Sequence, residues 1–146
     1  MNGDILPGTD SVARLCKGSH LDPDTGSPGP GAFMLRENES YLSVNWLEYF
    51  EQCTHEERLL EIRRVLANKR TISSTARLAL LNIGNAIRIV GDTPLLVFTH
   101  EPINSPGLVA DPSHSGINNI QNFEPLLVAE KLAEAVIELS AAKIEG

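Results

Sequence analysis

One stretch near the middle of the chain limits what can surround it. Thr54-His55-Glu56-Glu57 has the spacing of a capping box. In that arrangement the Thr54 hydroxyl accepts from the Glu57 amide, and the Glu57 carboxylate accepts from the Thr54 amide. Leu59, Leu60, Ile62, Val65 and Leu66 then recur at helical spacing, and Lys69 and Arg70 stand where cations complement a helix C-terminus. A helix over 55–69 with one apolar stripe has to bury it against a second layer. The segments on both sides supply that layer, because they read as strands.

Upstream, residues 1–31 are rich in Pro and Gly and read as a surface loop, with "DSVARLC" as a short strand or a single helical turn. Ala32–Arg36 and Tyr41–Trp46 are strand-like, and "ENES" between them reads as a hairpin loop. In the second run Leu42, Val44 and Trp46 alternate with Ser43 and Asn45, the period of a half-buried strand. Leu47, Tyr49 and Phe50 begin a turn or short helix.

Downstream, strands are expected at Ala76–Leu81 and Ala86–Val90 with "NIGN" as their turn, and a uniformly apolar strand at Pro94–Phe98. A second helix is expected over 124–143, with Pro125 at its first position and Asn122 or Glu124 as cap. Ala129, Leu132, Ala135, Val136 and Leu139 would form its apolar face, opposite Glu130, Glu134 and Glu138. The expectation is a single α+β domain: a mainly antiparallel sheet of four or five strands with two principal helices. The 146 residues suffice to bury a core without disulfides or metal.

Charge narrows the partners. Twelve Lys and Arg face nineteen Asp and Glu, a formal net charge of −7. That balance opposes broad nucleic-acid binding and docking on an anionic membrane. Arg58, Arg63, Arg64, Lys69 and Arg70 are interleaved with Glu56, Glu57 and Glu61 and read as a solvated mixed-charge face. No apolar run approaches a transmembrane length. Residues 1–10 have neither the basic nor the apolar region of a signal peptide, and two cysteines suggest a reducing compartment, so a cytoplasmic location is expected.

Four groupings carry candidate chemistry. Cys16 with His20, and Cys53 with His55, form a zinc ligand set by type, but neither pair has the spacing of a structural site. Cys16 near Arg14 and Lys17 is a candidate nucleophile, because neighbouring cations lower a thiol pKa. His114 follows Asp111-Pro112, so Asp111 could orient it as a general base, with Ser113 or Ser115 beside it. Asp111-Pro112-Ser113 is equally a good turn starter. His100 sits at a strand end, where side chains reach loop-borne sites. Tyr41, Trp46, Tyr49 and Phe50 form an aromatic cluster suited to an interface or to core packing, and Tyr41, Trp46, Tyr49 and His100 are the candidate binding residues. Nucleotide, zincin and nucleophile-elbow fingerprints do not occur, so no cofactor or metal is expected.

Two segments, "RLCKGSHLD…GAFMLRENESYLSVNWLEYF" and "VFTHEPINSPGLVADPSHSGI", resemble patterns in small uncharacterised bacterial proteins. The resemblance implies a setting in mobile-element or anti-phage gene clusters, including ubiquitin-like conjugation cassettes, and transfers no catalytic residue. The expected function is a non-enzymatic interaction subunit of a bacterial multi-protein system, with a protein partner or a second copy of the chain. The alternative is a small hydrolase or acyl or ubiquitin-like transferase using His114 with Cys16 or another nucleophile.

Overall fold

A computed structural model describes residues 3–51, 53–92, 94–120 and 124–144. The strands are β1 (Asp4–Ile5), β2 (Ser11–Cys16), β3 (Leu42–Trp46), β4 (Arg77–Asn82), β5 (Val97–His100), β6 (His114–Asn118) and β7 (Glu138–Ala141). The helices are α1 (His55–Lys69), α2 (Ile83–Val90) and α3 (Pro125–Ala135). All seven strands join one sheet in the order β1-β5-β6-β3-β2-β4-β7, antiparallel at every pairing.

The class is α+β as expected, but among the described residues the sheet has seven strands rather than four or five, and there are three helices. The extra strands lie in segments without a long apolar run. β1 is two residues long, and β6 reads His-Ser-Gly-Ile-Asn. Ala32–Arg36 is not a strand. A 3-10 turn at Pro30–Phe33 packs Ala32 and Phe33 into the core beside α3, so "ENES" closes no hairpin.

Ala86–Val90 belongs to α2. The Asn82 side chain accepts from the Asn85 amide and caps the helix, which buries Ile83, Ala86 and Val90 on one side. Gly91 ends it at φ +91°, a conformation that favours glycine. The helix starts against the N-terminal loop: a Cβ at Gly84 would stand 2.9 Å from the Gly8 carbonyl oxygen. The C-terminal helix is also shorter than expected. α3 ends at Ala135, and the Ile137 amide donates to Leu80, turning the chain into β7 along the edge of β4. Glu124 occupies the cap position of α3 without a side-chain bond; Asn122 lies outside the described residues.

The helices cover the sheet unequally. On one face, α2, α3 and the Pro30–Phe33 turn bury Val12, Cys16, Leu42, Val44, Phe98 and Ile117 in the larger core. On the other, Leu59, Ile62 and Leu66 of α1 pack on Ala13, Leu78, Leu80 and Ala142. α1 thus lies over the β2-β4-β7 half of that face. Its last turn is tied down by Lys69, whose Nζ donates to the buried Asp111 carboxylate ahead of β6. The side chains that β3 and β6 present beyond α1 are polar.

Candidate functional site

Strand parity sets this polar surface. Asn45 pairs with His114, and Ser43 with Gly116, so all four residues point to the α1 side of the sheet. Gly116 has no side chain for a physical reason. The Tyr41 ring lies over it, and a Cβ there would stand 2.5 Å from that ring. Tyr41 is thereby held beside His114, with ring centroids 5.9 Å apart.

His114 is fixed at both nitrogens. Nδ1 lies 2.8 Å from the Glu101 carbonyl oxygen, which only accepts, so Nδ1 donates. In the neutral ring Nε2 is then an acceptor, and the Ser43 hydroxyl donates to it at 3.1 Å. Burial pulls the imidazole below its ordinary pKa and outweighs the opposing pull of the Glu101 carbonyl and Asp111. His114 is therefore neutral at physiological pH, the state in which Nε2 takes a proton from a hydroxyl. Hydroxyl, imidazole and fixed carbonyl reproduce the logic of nucleophile, base and orienting group.

A cavity of about 340 Å³ opens over this pair. It exists because the sheet forks. β2 pairs with β4 along all six residues but with β3 only at Val12–Trp46 and Ala13–Asn45. Past that point the Arg14 guanidinium fills the gap, with Nε donating to Ala32 at 2.9 Å and Nη1 to the Ser43 carbonyl at 2.8 Å. Burial lowers the Arg14 pKa, though nearby Cys16 and Glu39 favour its charge. Lys17, Arg36, Lys69 and Arg70 also line the cavity, with His20, Glu39, Ser43 and His114. Five of the chain's twelve Lys and Arg thus surround one small space in a protein of net charge −7.

The expected site residues are distributed as follows. His114 lies in the fork. Asp111 does not orient it. Asp111 is fully buried, accepts from Asn45 at 2.9 Å and pairs with Lys69 at 2.5 Å, which fixes the approach to β6. Ser113 accepts from Asn45, and Ser115 donates to the Ser113 carbonyl, so both serve the same buried network. Cys16 is a core side chain: burial pushes its thiol up to about 11 against the pull of Arg14, and it is fully covered in the larger core. His55 bonds Glu138 on β7 at 3.1 Å, away from Cys16.

Trp46, Tyr49 and His100 meet elsewhere, lining a cavity of about 770 Å³ beside β1 with Asp4, Asp10 and Glu51. The Trp46 ring lies 5.2 Å from His100, and its indole N–H donates to Asp10 at 2.9 Å. His100 is buried, with Nε2 donating to the Pro112 carbonyl at 2.7 Å. Tyr41 packs instead against His114 and Gly116.

Ser43 and Arg14 are the residues that reading the sequence alone passes over. Ser43 carried a faint signal as a polar residue alternating with buried apolar ones in a strand. Arg14 enters the sequence reading only as a cation beside Cys16, since its role in the fork depends on where two strands part. Compared with known proteins, the chain matches no family model, no curated protein and no solved structure.

Proposed function

We propose that this chain is a small hydrolase or acyl transferase acting on a negatively charged substrate held in the fork. The observation that carries the reading is the Ser43 hydroxyl donating to His114 Nε2, with Nδ1 anchored on Glu101, beneath a cavity lined by cations. Ser43 Oγ forms a bond to the substrate carbonyl carbon while its proton passes to Nε2. Collapse of the tetrahedral adduct breaks the bond to the leaving group, which takes that proton from His114. Water or an acceptor hydroxyl then attacks the acyl-serine, gives its proton to His114, and frees Ser43 as the proton returns to Oγ. Arg14, bonded to the Ser43 carbonyl, fixes the nucleophile's backbone and supplies positive charge close to the developing oxyanion.

A fluorophosphonate probe tests this without knowledge of the substrate. Intact mass should show one adduct, and peptide mapping should place it on Ser43. His114→Gln should slow labelling by about 100-fold or more, the usual scale for a lost general base. An adduct elsewhere, or none on folded protein, would sink the reading.

A second reading, an interaction subunit of a bacterial multi-protein system, is favoured by Leu126 and Leu127, which α3 leaves side by side and 48% exposed. It predicts that the chain self-associates or captures a protein partner, and that Leu126→Asp with Leu127→Asp abolishes this. Monomer sedimentation at high concentration would remove the version in which the partner is a second copy.

A further inference from the structure

The number of charges around the fork says more about the ligand than its sign does. Lys69 is answered by Asp111, and Glu39 offsets one further cation. Arg14, Lys17, Arg36 and Arg70 share only that one acidic neighbour in the lining, so the cavity carries a surplus of about three positive charges, beyond what a single carboxylate neutralises.

These cations converge. His20 lies in the same cavity with its ring packed on Gly31, where a Cβ would stand 3.2 Å from it. After burial, the groups that hold its imidazole below the ordinary range are Lys17, Arg14 and Arg36, so all three act on one spot. Arg14 has committed Nε and Nη1 to carbonyls and makes no hydrogen bond through Nη2 among the described residues. Planar guanidinium groups match the oxygen spacing of phosphate and bind it through paired bonds. The space is small, at about 340 Å³, the scale of a metabolite rather than a polymer.

We propose that the fork binds the phosphate groups of a small phosphorylated metabolite, with Arg14 at its base and Lys17, Arg36 and Arg70 around its mouth. This rests on the reading of the fork as the substrate site and names the substrate class: an acyl ester that carries phosphate. Because Arg14 bonds the Ser43 carbonyl, phosphate held there places the rest of the ligand against the nucleophile.

Inorganic pyrophosphate is the probe, titrated calorimetrically into the whole chain at low and moderate salt, with citrate as a carboxylate polyanion of similar charge. Pyrophosphate should bind at least tenfold tighter than citrate. Arg36→Ala with Arg70→Ala, both at exposed positions, should weaken it at least tenfold. Binding should take up protons as His20 is charged beside the anion, so the measured heat should depend on the buffer. No binding at millimolar pyrophosphate, equal binding of citrate, or affinity unchanged in the double variant would each overturn the proposal.

Fluorophosphonate labelling of the same samples separates the two readings. Labelled Ser43 without pyrophosphate binding leaves the hydrolase and removes the phosphate site. Pyrophosphate binding without labelling does the reverse.

Discussion

Lys69 Nζ stands 2.5 Å from Asp111 Oδ2 and joins the last turn of α1 to the residues that lead into β6. The pair is lopsided, because Asp111 is fully buried while the Lys69 side chain keeps 17% of its exposure. Removing the cation strands a charge that water cannot reach, and removing the anion leaves one that it can. Lys69→Met should therefore destabilise by about 3 kcal/mol, the lower end for breaking a buried pair. Asp111→Asn, which keeps a partner for Asn45, should cost about 1–2 kcal/mol. Urea unfolding of both variants checks the order, and the reverse ranking would contradict it.

Gly116 and Tyr41 are matched in the same way. An alanine methyl at Gly116 would stand 2.5 Å from the Tyr41 ring, so one of the two has to move. Gly116→Ala should cost about 1–3 kcal/mol, the scale of an overpacked site. In a Tyr41→Ala background the same change should cost much less. Additive costs in the double-mutant cycle would show that the ring does not rest there.

The two cysteines should differ in reactivity. The Cys16 thiol is buried and pushed up to about 11, whereas Cys53 is only partly covered. A thiol reagent at pH 8 should modify Cys53 in the folded protein and reach Cys16 only after denaturation. Cys16→Ser should destabilise by about 1–3 kcal/mol by placing a hydroxyl in the core.

Acid should weaken the fold before the carboxylates titrate. His20 and His114 are both held below the ordinary histidine value in the folded chain. The unfolded chain takes up their protons near pH 6.5, where the folded chain still resists. Stability is thus flat above that value, falls as pH drops from it toward the lower folded pKa values, and levels off beneath them. Denaturant midpoints at pH 7.5 and 5.5 should show the loss, and His114→Gln should reduce it. Equal midpoints would rule it out.

The sequence shows the fold unevenly, for reasons that individual residues make plain. α1 is legible because Thr54 and Glu57 cap it locally, and the capping box is present as read. The Tyr41–Trp46 and Ala76–Leu81 runs match β3 and β4 to within a residue, since alternation or continuous apolar character marks them. Ile87, Ile89 and Val90 favour a strand by shape, yet Asn82 and the buried face of α2 outweigh that preference. β6 is hidden because its histidine and its glycine answer to neighbours elsewhere in the chain: Gly116 to Tyr41, and His114 to Glu101 and Ser43. The sequence singles out His114 through the local run Asp111-Pro112-Ser113 that precedes it. Its actual partner, Ser43, lies 71 positions away, a separation no local pattern records.

The fork between β2 and β3 has a mechanical consequence. An ordinary gap between neighbouring strands would zip shut whenever it stood empty, and a guest would have to prise it apart. Here the Arg14 side chain is wedged where the next rungs of the ladder would form, and it has already taken the Ser43 carbonyl that β2 would have used. The doorway is propped open from inside. Arrival then involves displacing solvent but not unstitching the sheet, so association should be fast and the empty and occupied backbones should superimpose.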